Sequence, residues 1–305
     1  MRRPPSGLLL GIGAALSISL TNVFSRLHFE AGSNPVTFML VRYVLFVAIV
    51  ATGLALLGRL PRVAARQVPD TVGAGLLNVI GATCLAFAIE RVEVGLAIAV
   101  LYLFPILTSL IGAALDRRRP PGIALAALAL AFIGLVLALD IGGDARPDPL
   151  GLAFAFGAAL SIAGSFVWIE RRLDTLGDAA RTLGLATVAL GFVVALAGVR
   201  GGVVFPLPSA WAWLTLVIAT VTFGAAYAAM FAAISRVGAT TTSMLMNLEP
   251  PATAVLATLL LGDRLSGTQL LGIALVVIAV LSAQRASLGP ARPGGVPAPD
   301  DGRSR

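Results

Sequence analysis

Lysine is absent from the 305-residue chain, so all 22 basic side chains are arginine. That excludes a Walker-type nucleotide loop, whose lysine grips the phosphates, and Schiff-base chemistry, which needs the same amine. A single histidine, His28, excludes paired-histidine metal sites, and a single cysteine, Cys84, excludes an intramolecular disulfide. No HExxH metal motif occurs, His28 has no evident nucleophile beside it, and neither a cofactor nor enzymatic activity is expected. Charge itself is scarce. Only 12% of residues are charged and 58% are hydrophobic, against about 25% charged in a soluble domain. The mean hydropathy is +0.94. Such a chain must lie mostly in lipid. A pI of 11.1 would suggest nucleic acid in a soluble protein; here the arginines fall in short connecting segments, where they orient a membrane chain, and no nucleic-acid partner is expected.

What is present is a series of apolar runs. Ten are near the ~20 residues that a bilayer core requires: 7–27, 35–57, 70–89, 94–115, 122–139, 149–169, 182–200, 210–232, 239–261 and 268–284. The first lacks a small-residue cleavage site and reads as a retained anchor. Residues 1–6 precede it, and a Pro/Gly-rich tail over 285–305 is expected to be disordered. If the N-terminus is cytoplasmic, sixteen arginines fall inside against five outside, with Arg42 left within a span. This positive-inside bias predicts a multi-pass inner-membrane protein with both termini cytoplasmic.

The stretch RVGATTTSMLMNLEPPATAVLATLLLGDRLSGTQ at 236–269 places Asn247, Glu249, Pro250 and Pro251 near the middle of an apolar span. Hydrocarbon solvates neither a carboxylate nor a carbonyl freed by proline, so this span must face protein or a wet cavity. It also has an earlier, weaker copy. GAALSI occurs at 13–18 and 157–162, and Gly7, Leu8 and Val23 match Gly151, Leu152 and Val167 at the same shift of 144. AIERV at 88–92 matches AISRV at 233–237 at a shift of 145, continuing through Leu103, Pro105, Thr108 and Leu115 against Leu248, Pro250, Thr253 and Leu260. Spans 1 and 6 therefore correspond, as do 4 and 9. Five spans per copy is an odd number, which inverts the second copy, an architecture of secondary transporters with the site at midplane. The predicted fold is an all-α polytopic membrane protein of ten transmembrane helices in two inverted five-helix repeats, 7–139 and 149–284.

LEPPATAVLATLLLGDRLSGTQLLG at 248–272, the looser LYLFPILTSLIGAALDRRRPPG at 101–122, and Arg42-Tyr43 in span 2 resemble the EamA-type repeat of the drug/metabolite transporter superfamily. The resemblance covers nearly the whole chain. It implies a central cavity lined by spans 1–4 and 6–9, with spans 5 and 10 supporting it or mediating a homodimer, and export of metabolites, amino acids or drugs. The first copy departs from the pattern: Arg118 stands opposite Asp263.

Glu249 is the leading candidate for a substrate or ion pathway. A charge at the bilayer centre costs ~3 kcal/mol on insertion scales and so takes a partner or a proton. It either exchanges a proton for a substrate amine or joins helices through a neighbour. Arg42 is the obvious partner, about 11 Å below the outer end of its span while Glu249 lies about 15 Å above the inner end of span 9; alternatively Arg42 snorkels outwards. Ser17 and Thr21 repeat as Ser161 and Ser165, each pair on one helix face, where they line a cavity or serve close packing. Asn22, Asn78, Tyr102 and Asn247 are costlier to bury and are cavity candidates. Trp168 and Tyr227 read as interfacial aromatics near helix ends. Pro105 and Pro250 occupy matching mid-helix positions, as hinges or as fixed kinks. The sequence thus predicts a secondary active transporter, proton-coupled and exporting a small organic solute. Its alternatives are a facilitative carrier or a lipid- or sugar-linked flippase without proton coupling and, more remotely, a structural or channel-like membrane protein.

Overall fold

Twelve helices run through the computed structural model, which describes residues 5–61, 63–89, 91–92, 94–117, 122–139, 148–203, 207, 209–262 and 265–287. They are α1 (Pro5–Glu30), α2 (Pro35–Leu56), α3 (Val68–Ile89), α4 (Val94–Leu101), α5 (Phe104–Leu115), α6 (Gly122–Ala138), α7 (Pro149–Arg172), α8 (Asp178–Arg200), α9 (Ala210–Val237), α10 (Ala239–Met246), α11 (Glu249–Leu261) and α12 (Gly267–Ser287). A short 3₁₀ turn, Ala65–Gln67, precedes α3. Apolar sequence in lipid has to satisfy its own backbone, which a helix does within one segment. Polar residues mark the starts. Asn34 accepts from the Thr37 amide at 2.9 Å ahead of Pro35, Asp148 from Leu150 at 3.0 Å ahead of Pro149, and Ser209 from Ala212 at 3.1 Å.

Eight helical stretches are long and apolar enough to cross a membrane, counting α4 with α5 and α10 with α11 as single spans. Leu125–Ala138 and Gly267–Ser282 are apolar but shorter. Every predicted run is helical, with corrected ends. The run set at 182–200 begins at Asp178 instead, because Arg181 is not a loop residue: its guanidinium is buried in the first turn of α8. There it donates to the carbonyls of Leu173 (2.6 Å), Leu176 (2.7 Å) and Phe231 (3.0 Å), which repay its burial. The runs set at 94–115 and 239–261 are each interrupted, at Tyr102–Leu103 and Asn247–Leu248. Arg118 and Asp263, the mismatched loop pair, lie outside the described residues, as does most of the tail.

Packing repeats between the halves. Helix α1 lies against α9 as α7 lies against α3; α1 also meets α10 and α11 as α7 meets α4 and α5; α2 meets α8, and α6 meets α12. Individual residues exchange as well. A methyl group on Gly7 would meet Val237 Cγ1 at 2.6 Å and Arg236 Cβ at 2.9 Å, and one on Gly151 would meet Val92 Cγ1 at 2.7 Å and Arg91 Cβ at 2.9 Å. These are the positions paired by the sequence repeat. Gly134 and Gly272 let α6 and α12 approach to backbone contact, a small-residue crossing. The largest core cluster gathers residues of α1, α7, α5 and α10 around Tyr102, Phe104, Leu245 and Met246, so both interruptions lie in the molecule's centre.

Candidate functional site

Two tightened turns build the site. Leu103 bonds back to Val100 at 3.1 Å and Leu248 to Leu245 at 3.0 Å, three residues rather than four, and each turn ends one half-helix and starts the next. Pro105 and Pro250 sit within the first two positions of α5 and α11. This corrects the mid-helix kink read from sequence. At a helix start a proline's missing N–H is one that would be unbonded anyway, so the span is broken rather than bent. The carbonyls of Leu101, Met246 and Asn247 are the ones deprived of a donor four residues on.

Glu249 is the first residue of α11, where the helix dipole favours negative charge. Asn22 Nδ2 donates to its Oε1 at 3.0 Å and reaches Thr253 Oγ1 at 3.4 Å. The Tyr102 hydroxyl acts on the same carboxylate from the opposite interruption. Ser19, fully buried, donates to the Ala15 carbonyl (2.7 Å) and lies 2.9 Å from the Glu249 carbonyl. Asn247 is buried beside Glu249 and takes the place that Tyr102 has in the first half. Asn22 itself is exposed and Glu249 half-buried, so the pair is not sealed inside the bundle.

Arg42 does not pair with Glu249. Its Cζ lies 4.2 Å from the ring centroid of Phe223, 4.8 Å from Phe38 and 5.5 Å from Tyr43. It forms no ion pair among the described residues; ring faces stabilise the cation instead. Tyr43 and Phe223 also wall a cavity of about 10 Å³ with Asn78, Tyr227, Phe46 and Phe231, at the margin of holding one water. Asn78 Oδ1 accepts from the Tyr227 hydroxyl at 3.4 Å. Tyr227 is therefore no interfacial aromatic: α9 runs on to Val237 and leaves it well inside the helix. Trp168 does lie near the end of α7, its ring against Gly73.

Two members of the hydroxyl stripes, Thr21 and Ser161, lie at helix contacts. Thr21, bonded to the Ser17 carbonyl at 3.0 Å, shares a 2.9 Å bond with Thr222 across the α1–α9 contact. Ser161 lies where α7 crosses α3 at Gly81. Sequence reasoning missed Ser19, although it stands three residues before Asn22 on one helix face. It also missed Phe223, which carried no polar signal.

The two halves differ in chemistry at matching places. Asn22 and Glu249 correspond through the repeat to Phe166 and Phe104, whose rings pack at 5.5 Å between centroids. One half carries a polar pair where the other carries an aromatic one. With the broken spans and the exchanged contacts in place, comparison with known proteins is decisive: the profile of the EamA-like transporter family matches residues 5–139 and 149–283. The chain belongs to this family. The match runs through both halves, in keeping with a two-repeat helical architecture. It is 29% identical over 202 residues to the threonine/homoserine exporter RhtA of Salmonella typhimurium and of Escherichia coli K12. That match spans 64% of this chain and 64% of those relatives' length. An uncharacterised transporter of Synechocystis is 24% identical over 232 residues, 72% of this chain and 68% of that one. A solved crystal structure superposes with a TM-score of 0.78 at 19% identity, covering 94% of this chain and 99% of its own, and shares the fold.

Proposed function

We propose that this EamA-like transporter is a proton-coupled secondary active exporter of a small organic metabolite, working by alternating access. Its ten spans form two inverted five-helix repeats in the inner membrane, with both termini cytoplasmic. One observation carries the reading: a carboxylate, Glu249, stands at the start of a half-helix in the middle of a broken span, held by Asn22. A carboxylate open to hydrocarbon costs ~3 kcal/mol, so its open side faces water, from which a proton or a substrate amine reaches it. Asn247 and the freed carbonyls beside it add acceptors for that amine. The matched interruptions behind Pro105 and Pro250 let each half open in the opposite sense. The named relatives export threonine and homoserine, which makes amino acids the first class to assay.

In proteoliposomes with an imposed pH gradient, wild-type protein accumulates labelled substrate, and Glu249→Gln loses that response while keeping counterflow into preloaded vesicles. An unchanged gradient response in Glu249→Gln refutes the coupling role. Counterflow with no gradient response in the wild type makes the chain a facilitative carrier. Absence of counterflow beside passive flux makes it a pore.

A further inference from the structure

An arginine presents five N–H donors in a planar fork, and at Arg42 the protein stacks rings on the fork without filling it. Nε is buried with no hydrogen-bond partner, and among the described residues no carboxylate pairs with the guanidinium. Ring faces at 4.2 and 4.8 Å stabilise the positive charge and hold the guanidinium against the aromatic wall. They leave its N–H edge for a planar acceptor. Two of the three rings, Tyr43 and Phe223, are also walls of the cavity that Asn78 and Tyr227 close. Both Arg42 and Glu249 act electrostatically on the Tyr227 hydroxyl, another wall of that cavity.

We propose that Arg42 is the carboxylate-binding residue of the transport site, so that the substrate is a zwitterion with its carboxylate on Arg42 and its ammonium toward Glu249. The proposal rests on the transport reading above and deepens it, selecting amino acids over cationic drugs. Arginine meets a carboxylate with two parallel hydrogen bonds, which fixes orientation as well as charge. A cationic drug would place like charge beside Arg42. The competing role is mechanical: Arg42 would merely pin α2 to α9 through Phe223.

The test measures thermal shift of the purified full chain with each common L-amino acid and with its amide, which lacks the carboxylate charge. Wild-type protein is expected to bind at least one amino acid tenfold or more tightly than its amide. Arg42→Met, which keeps the stack apolar, should bring that ratio to within twofold, and Arg42→Lys should retain part of it. An unchanged ratio in Arg42→Met overturns the assignment, as does a wild type that binds no amino acid in preference to its amide. Should Arg42→Met fail to fold, the wild-type ratio decides alone. Acid preference without gradient-driven transport supports the subsite and sinks proton coupling. Gradient-driven transport without acid preference sinks the subsite and spares the coupling.

Discussion

Asn22 shows how little separates a proposed transport residue from a packing residue. Its Nδ2 is 3.0 Å from Glu249 Oε1 and 3.4 Å from Thr253 Oγ1, and only the first is a bond to a charge. Bonds to charged groups contribute about 1.5–3 kcal/mol, roughly twice the neutral kind. Asn22→Leu should therefore slow gradient-driven flux by about tenfold or more, measured in proteoliposomes, whereas Thr253→Val should change it less than threefold. Equal effects of the two would mean that the Asn22 contact does not bear on the carboxylate. The matching place in the other half makes the same point in reverse. Phe104 packs on Phe166, so Phe104→Glu puts a carboxyl where no amide donor waits. That substitution should destabilise by about 3 kcal/mol or more, read as a lower midpoint of thermal unfolding in detergent. A stable Phe104→Glu protein would show that the interruption at Tyr102–Leu103 is as wet as the one at Asn247–Leu248.

Among the elements, the interrupted spans decide what a proline does. A proline inside a helix costs about 3 kcal/mol relative to alanine, so replacing one there should stabilise by that amount. Pro250 lies at the start of α11 after a turn already closed by Leu248. Pro250→Ala should then change unfolding stability by less than about 1 kcal/mol, with counterflow within twofold of wild type. A gain of several kcal/mol would restore the kinked-helix picture. The sequence disclosed much at this scale. Apolar runs, proline register and the internal repeat were legible because each is a local or periodic signal. The break itself was not, since a proline in an apolar run marks both a kink and a new start. Partner choice was illegible for another reason. Asn22 meets Glu249 across a chain separation of 227 residues, and Arg42 finds Phe223 through the packing of α2 on α9. Neither separation leaves a periodic trace, and opposite charge alone pointed Arg42 to the wrong neighbour. Tyr227 was misplaced because the predicted helix ended five residues before Val237.

At the scale of the whole molecule, the symmetry of the two halves can be tested by matched damage. The halves share backbone geometry closely enough that Gly7 on Val237 and Gly151 on Val92 leave nearly the same space, 2.6 and 2.7 Å from an added methyl. They do not share chemistry, since the polar pair exists once. Damage to the frame should therefore be symmetric, while damage to the site is not. Gly7→Val and Gly151→Val each force a branched side chain into the tight contact of α1 with α9 and of α7 with α3. Overpacking of this kind costs typically about 1–3 kcal/mol. The two variants should lose similar stability, and the double variant should lose the sum within about 0.5 kcal/mol, because the sites share no partner. Thermal or denaturant unfolding of the three proteins in one detergent reads this out. If Gly151→Val is silent while Gly7→Val unfolds the protein, the halves are not equivalent frames, and a motion in which each repeats the other's movement in the opposite sense loses its structural basis.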